Sequence, residues 1–281
     1  MSSDNRPIGV FDSGLGGLTV VKDLAKILPG EDIVYLGDSA RVPYGIKSLA
    51  TIRRFAMEDA AFLGRFDPKL LVVACNTASA AAIDAITATA PCDVVDVVRP
   101  SAAAALAATD GPVGVVATEA TVRSGAYQRA LAADGAGREI LAVACPLLVP
   151  IVEEGRDGDD PIVTHVLCDY LRNLQRLRPG AMVLGCTHYP LLAGPIGKLM
   201  GPATQLISSA TAAALDVAHR LDAAGMRHAR VEGGSLRCHT TDNPQRFAEL
   251  GATFGGRPLD HVEYVGTDEL EGLVARRPVK S

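Results

Sequence analysis

Short runs of Val, Ile and Leu alternate with alanine-rich stretches along the whole chain. The apolar runs are Ile8–Phe11, Ile33–Leu36, Leu70–Ala74, Val94–Val98, Val113–Ala117, Ile140–Ala144, Met182–Leu184 and Gln205–Ile207. Most are apolar at successive positions, not at every second one, which predicts strands covered on both faces. Leu49 to Phe66 and Thr77 to Ala90 carry helical periodicity between such runs. This alternation predicts an α/β fold with mostly parallel sheets. No low-complexity linker interrupts it. The most polar and glycine-rich loop spans Glu153 to Pro161, and Pro161 is suited to open the helix that follows.

The pattern also repeats. Ile8-Gly9-Val10-Phe11-Asp12-Ser13 is echoed by Val113-Gly114-Val115-Val116-Ala117-Thr118. Val72-Val73-Ala74-Cys75-Asn76-Thr77 is echoed by Val183-Leu184-Gly185-Cys186-Thr187-His188. Each unit has an apolar strand ending in a hydroxyl residue and a later one ending in cysteine. Two similar α/β halves facing each other are expected.

Composition narrows the class. A chain of 281 residues is long enough for two domains at about 150 residues each. With 48% hydrophobic and 21% charged residues it is neither disordered, coiled-coil nor collagen-like. Its 27 basic and 32 acidic residues leave a net charge of −5, no electrostatic case for nucleic acid or an anionic membrane as main partner. The N-terminus MSSDNRPIGV has an acid and no apolar core of a secretory signal. The longest uncharged apolar stretch, Ile140 to Val152, contains two prolines and is shorter than the about 18 residues of a membrane span. A cytoplasmic location is expected. The six cysteines form no C-x-x-C pair and no zinc-type spacing with histidine, so free thiols are expected there.

Ligands of open α/β sheets bind beyond the carboxyl ends of the strands. Four polar motifs fall there: Asp12-Ser13-Gly14-Leu15-Gly16-Gly17, Gly37-Asp38 through Tyr44-Gly45, Cys75-Asn76-Thr77-Ala78-Ser79 and Gly185-Cys186-Thr187-His188-Tyr189-Pro190. Their small residues expose backbone N–H groups suited to anions. Most free cysteines are small buried apolar groups. Cys75 and Cys186 stand apart because each ends a strand in its half and precedes residues that can cap a helix, Asn76-Thr77 and Thr187. A thiol at a helix start gains thiolate character, so lowered pKa values are expected. One sulfur on each side of a site is what proton exchange at a stereocentre requires. Asp12 suits a base or orienter, or a carboxylate that bonds its own turn. His188 suits a proton relay. Glu153 is either an assisting acid or a solvated loop residue. The cluster Gly14–Gly17 lacks the third glycine of a dinucleotide fingerprint, since Thr19 stands there, and no P-loop follows. No lysine sits in a setting distinctive of a pyridoxal Schiff base.

Together these motifs, with Pro146 through Glu153-Glu154-Gly155, resemble the aspartate/glutamate racemase family, in the family's order and over about two-thirds of the chain. The resemblance implies a two-base racemase that interconverts L- and D-glutamate without cofactor or metal and supplies D-glutamate to peptidoglycan synthesis. It implies that Cys75 takes the D-isomer proton and Cys186 the L-isomer proton, assisted by Asp12, Glu153 and His188. The substrate would be held by Asp12, Ser13, Tyr44, Gly45, Asn76, Thr77, Thr118, Thr187 and His188. It implies a homodimer, and two domains: 1–98 with 208–281, and 99–207. Activation by a cell-wall precursor and interaction with DNA gyrase, described for some members, stay open. So do an aspartate or hydantoin racemase and a non-catalytic amino-acid binder, although a binder needs no pair of thiols. Arg99, Leu147-Leu148 and Ser208-Ser209 depart from the family's usual residues.

Overall fold

The computed structural model describes residues 3–134 and 137–275. Residues 1–2, 135–136 and 276–281, which the expected domain ranges include, lie outside the described residues. The strands are β1 (Ile8–Asp12), β2 (Ile33–Gly37), β3 (Leu70–Val73), β4 (Asp93–Asp96), β5 (Val113–Ala117), β6 (Ile140–Ala144), β7 (Ala181–Gly185), β8 (Gln205–Ser208), β9 (Leu236–Thr240) and β10 (Val262–Tyr264). Helices α1 (Leu18–Ile27), α2 (Leu49–Leu63), α3 (Asn76–Thr89) and α4 (Val98–Ala108) connect the first strands. They are followed by α5 (Glu119–Ser124), α6 (Ala126–Asp134), α7 (Leu148–Glu153), α8 (Pro161–Leu177) and α9 (Ala193–Met200). The last three are α10 (Ser209–Ala224), α11 (Pro244–Gly255) and α12 (Thr267–Ala275).

All strands pair in parallel, in two sheets. The first has the order β10-β9-β2-β1-β3-β4 and the second β6-β5-β7-β8. The repeat seen in the sequence is therefore a repeat of topology: β2-β1-β3-β4 and β6-β5-β7-β8 are the same arrangement. The strands β1, β2, β3, β5 and β7 are buried at every position. Helices cover both faces, as parallel sheets require. In the first unit α2 and α3 pack together on one side, while α1 lies against α10 and α11. Helix α10 also packs on α4, so it joins the two units.

One expectation is corrected. The run Val94–Val98 is not one strand: β4 ends at Asp96, whose Oδ1 accepts from the N–H groups of Val98 and Arg99, each at 2.8 Å, and α4 starts there. Strands β9 and β10, which extend the first sheet beyond β2, were not anticipated. Pro161 does open α8, with Asp160 as its N-cap. No described helix is long and apolar enough to cross a membrane.

Candidate active site

Because all strands run parallel, the loops after β1, β2, β3 and those after β5, β6, β7 meet at carboxyl edges. They enclose a cavity of about 300 Å³. Its wall includes Cys75 from the loop after β3 and Cys186 from the loop after β7, equivalent positions in the two units. Ser13, Tyr44, Gly45, Asn76 and Thr77 line it from one side, and Thr118, Glu153, Thr187 and His188 from the other. Of the residues singled out above, Asp12 alone does not line it. It is fully buried beneath the loop, where Oδ2 accepts from Gly14 N at 3.0 Å and Oδ1 lies 3.5 Å from Thr187 Oγ1.

The chain packs tightly where the loops meet. A methyl group added at Gly16 would sit 2.2 Å from Thr187 Oγ1 and 2.6 Å from the His188 ring. Gly16 thus lets the β1 loop touch the loop that carries Cys186. A methyl at Gly45 would sit 2.8 Å from Thr118, so only glycine fits between these walls.

Cys75 is the N-cap of α3. Its Sγ accepts from Ala78 N at 3.4 Å and lies 3.6 Å from Ser13 Oγ. Sequence reasoning predicted a lowered pKa from that helix start. The structure corrects this: the thiol is pushed up to about 12, first by burial and then by the nearby Asp12 charge, which outweigh the helix N–H and Ser13. The expected helix start after Cys186 is also corrected. A four-residue 3-10 turn, Tyr189–Leu192, follows it, and Thr187 caps nothing there. The neighbour of Cys186 is instead His188, whose Nδ1 lies 3.8 Å from Sγ. His188 Nε2 lies 2.9 Å from Glu153 Oε1. Burial opposes a charge on this ring, but Cys186 and Glu153 outweigh it and raise its pKa to about 10. Glu153 therefore serves the histidine and does not meet either thiol directly. Burial raises Asp12 above the usual carboxylate range, against His188 and the N–H groups of Gly17, Gly14 and Ser13.

Other groups hold the wall. Asn76 accepts at Oδ1 from Tyr127 OH at 2.6 Å and donates from Nδ2 to Ser209 at 3.2 Å. The hydroxyls of Thr77 and Thr118 lie 2.9 Å apart, and Thr121 lies 2.9 Å from Thr118. Tyr44 lines the cavity, and its hydroxyl meets Asp38 and Asp59. Sequence reasoning missed Thr121 and Tyr127, which brace lining residues from behind, and Glu119, which lines the cavity itself. Only the spacing Thr118-x-x-Thr121, suited to an N-cap and its partner, could have pointed to the first. Among the described residues no group of three or more His, Cys, Asp or Glu is placed to hold a metal.

Two thiols from matched loops, a histidine with a raised pKa beside one of them, and a wall of hydroxyls among apolar side chains form a site suited to proton transfer on a small ligand. The family model for Asp/Glu/hydantoin racemases matches residues 8–217, and the chain belongs to that family. It is 44% identical over 265 residues to the curated glutamate racemase of Geobacter metallireducens, covering 94% of this chain and 97% of that one. The crystal structure of glutamate racemase from Francisella tularensis in complex with D-glutamate matches with a TM-score of 0.88 at 39% identity, over 94% of this chain and 99% of that one. That of Thermus thermophilus in complex with β-chloro-D-alanine matches with a TM-score of 0.85 at 44% identity, over 95% and 100%. The chain is thus an isomerase of the racemase type.

Proposed function

We propose that this racemase interconverts L- and D-glutamate by two-base proton transfer, with Cys75 and Cys186 as the acid and base on opposite faces of the substrate. The observation that carries the reading is that two thiols from equivalent loops of two like units line one cavity. One sulfur removes the α-proton, and the other delivers a proton from the other face, inverting the centre. The reaction leaves the thiol/thiolate pair reversed, so the same site runs both ways. His188, held by Glu153, orients and shuttles charge next to Cys186. The carboxylates of the substrate meet the N–H groups of the 44–45 and 76–77 loops and the Thr118 and Thr187 hydroxyls, and Asp12 holds the loop below them. Glutamate as substrate is supported by the identity to glutamate racemases and by the D-glutamate that the Francisella tularensis relative binds.

The same reading makes the enzyme a cytoplasmic source of D-glutamate for peptidoglycan and a homodimer. It assigns 1–98 with 208–281 to one domain and 99–207 to the other.

The test is D-glutamate in D₂O with no added cofactor, followed by proton NMR and circular dichroism. Loss of the α-proton signal together with decay of optical activity is expected. No exchange with glutamate, but exchange with aspartate or a hydantoin, would overturn the substrate. No exchange with any of them would favour a binding protein.

A further inference from the structure

Behind the Tyr44–Gly45 wall lies a buried cluster that the proton transfer does not use. Asp38 follows β2, Arg41 lies on the next turn, and Glu58 and Asp59 are neighbours on α2. All three acids are buried. Arg41 reaches each of them: Nε lies 2.7 Å from Asp38 Oδ2, a second nitrogen meets Glu58, and a third lies 3.2 Å from Asp59 Oδ1. Its guanidinium is also stacked 4.2 Å over the Phe55 ring. One arginine thus faces three buried carboxyl groups. Arg54, the other cation here, reaches only Glu58, at 4.0 Å.

The Tyr44 hydroxyl meets two carboxyl groups, Asp38 Oδ2 and, at 2.9 Å, Asp59 Oδ2. It has one hydrogen to donate. The second contact therefore needs a hydrogen from the acid side. Asp38 is already surrounded by donors: Arg41 at Oδ2, and Thr241 Oγ1 at 2.9 Å from Oδ1. The Thr241 hydroxyl itself accepts from Ala40 N, so its own hydrogen is free for Asp38. Asp59 Oδ2 has no contact besides Tyr44 among its hydrogen bonds.

We infer that Asp59 is a neutral carboxylic acid that donates from Oδ2 to the Tyr44 oxygen, while Tyr44 donates to Asp38. Asp59 is thus a positioning residue for the cavity wall. The inference deepens the glutamate-racemase reading and rests on it for the part played by the wall. Burial and the Asp38 charge, which outweigh Arg41, hold the Asp59 carboxyl well above the usual carboxylate range, in keeping with the geometry. The chain Asp59–Tyr44–Asp38–Arg41 pins the Tyr44 ring against Phe55, at 5.6 Å between centroids. Tyr44 and Gly45 are thereby fixed in the cavity wall, with Gly45 beside Thr118.

Two measurements test this. The first is infrared difference spectroscopy between wild type and Asp59→Asn in the absence of substrate. A protonated-carboxyl carbonyl band present in wild type and lost in Asp59→Asn is expected; no difference in that band overturns the neutral acid. The second is steady-state racemisation. Asp59→Ala, which leaves the Tyr44 oxygen without its donor, should raise KM about 10-fold with kcat changed far less. Asp59→Asn, whose amide N–H can still donate and whose oxygen can still accept from Arg41, should restore KM to within about 2-fold of wild type. Equal KM rises in both variants would mean that the charge of Asp59 matters, and would overturn the inference. If Asp59→Ala does not fold, Asp59→Asn and the infrared band decide alone. If wild type fails to racemise glutamate while the band is present, the substrate reading fails and the neutral Asp59 stands.

Discussion

The two flanks of the cavity come from like sequences and hold their thiols in unlike surroundings. Cys75 caps a helix of 14 residues, touches a serine hydroxyl and lies near the buried Asp12. Cys186 precedes a turn of four residues and has a histidine next to it, whose pKa Cys186 and Glu153 together raise. Burial and an acid hold the first thiol in its protonated form, while a cation borders the second. A duplicated fold supplies two sulfurs at matched strand ends. The loops between them then set different surroundings, and under the proposed transfer those surroundings distinguish the two directions.

The comparison is broken most severely by removing either sulfur. Cys75→Ala and Cys186→Ala are each expected to lose about 1,000-fold or more in racemisation rate, read by circular dichroism, because transfer across two faces needs both groups. A single variant with near-wild-type turnover would show that the flanks are not both needed.

Next comes the His188–Glu153 pair, which only one flank has. His188 is charged below about pH 10 and loses its proton as pH rises through that value. A rate that depends on the imidazolium falls on that limb. Glu153→Gln removes one of the two partners that raise the pKa, so the high-pH limb of kcat/KM should move down, with a loss of about 10-fold at its upper end. The folded-state pKa also lies above the ordinary histidine value. The pair therefore stabilises the protein fully below that ordinary value and loses its effect as pH approaches and passes about 10. Urea titrations of wild type and Glu153→Gln across that range read this directly, and an unchanged difference between the two would contradict the pairing.

A smaller effect sharpens how the flanks are joined. Gly16→Ala places a methyl group against Thr187 and His188. A cost of about 2 kcal/mol is expected, seen as a melting temperature lower by about 5 °C. The smallest concerns Arg99. Its side chain is 63% exposed and pairs with Asp96 at 2.5 Å, away from the cavity wall. Arg99→Ala should change stability by no more than about 0.5 kcal/mol and leave racemisation unchanged.

Much of this architecture was legible in the residues, for physical reasons. Runs such as Val113–Ala117 are apolar at every position because their sheet is covered on both sides, and that leaves a plain signature. The repeated strand-then-cysteine motif was equally visible, because parallel topology sends equivalent strand ends to one place. Strand β9 reads Leu-Arg-Cys-His-Thr and lies toward the edge of its sheet, where mixed polarity is tolerated, so no apolar run announced it. Asp59 and Glu58 look like a solvated acidic turn of a helix; only the fold turns them inward onto Arg41. The thiol chemistry was misjudged for a related reason. A helix start favours thiolate, but how deep that start is buried depends on the packing of both units, which local sequence does not contain.

The central claim, two sulfurs acting on opposite faces, is tested most directly by primary deuterium isotope effects on kcat/KM with α-deuterated D- and L-glutamate, using Cys75→Ser and Cys186→Ser. A serine hydroxyl is far harder to ionise than a thiol, so the proton abstraction it must perform becomes limiting. The account predicts a larger effect for D-glutamate in Cys75→Ser and for L-glutamate in Cys186→Ser. Equal effects for both enantiomers in both variants would contradict it.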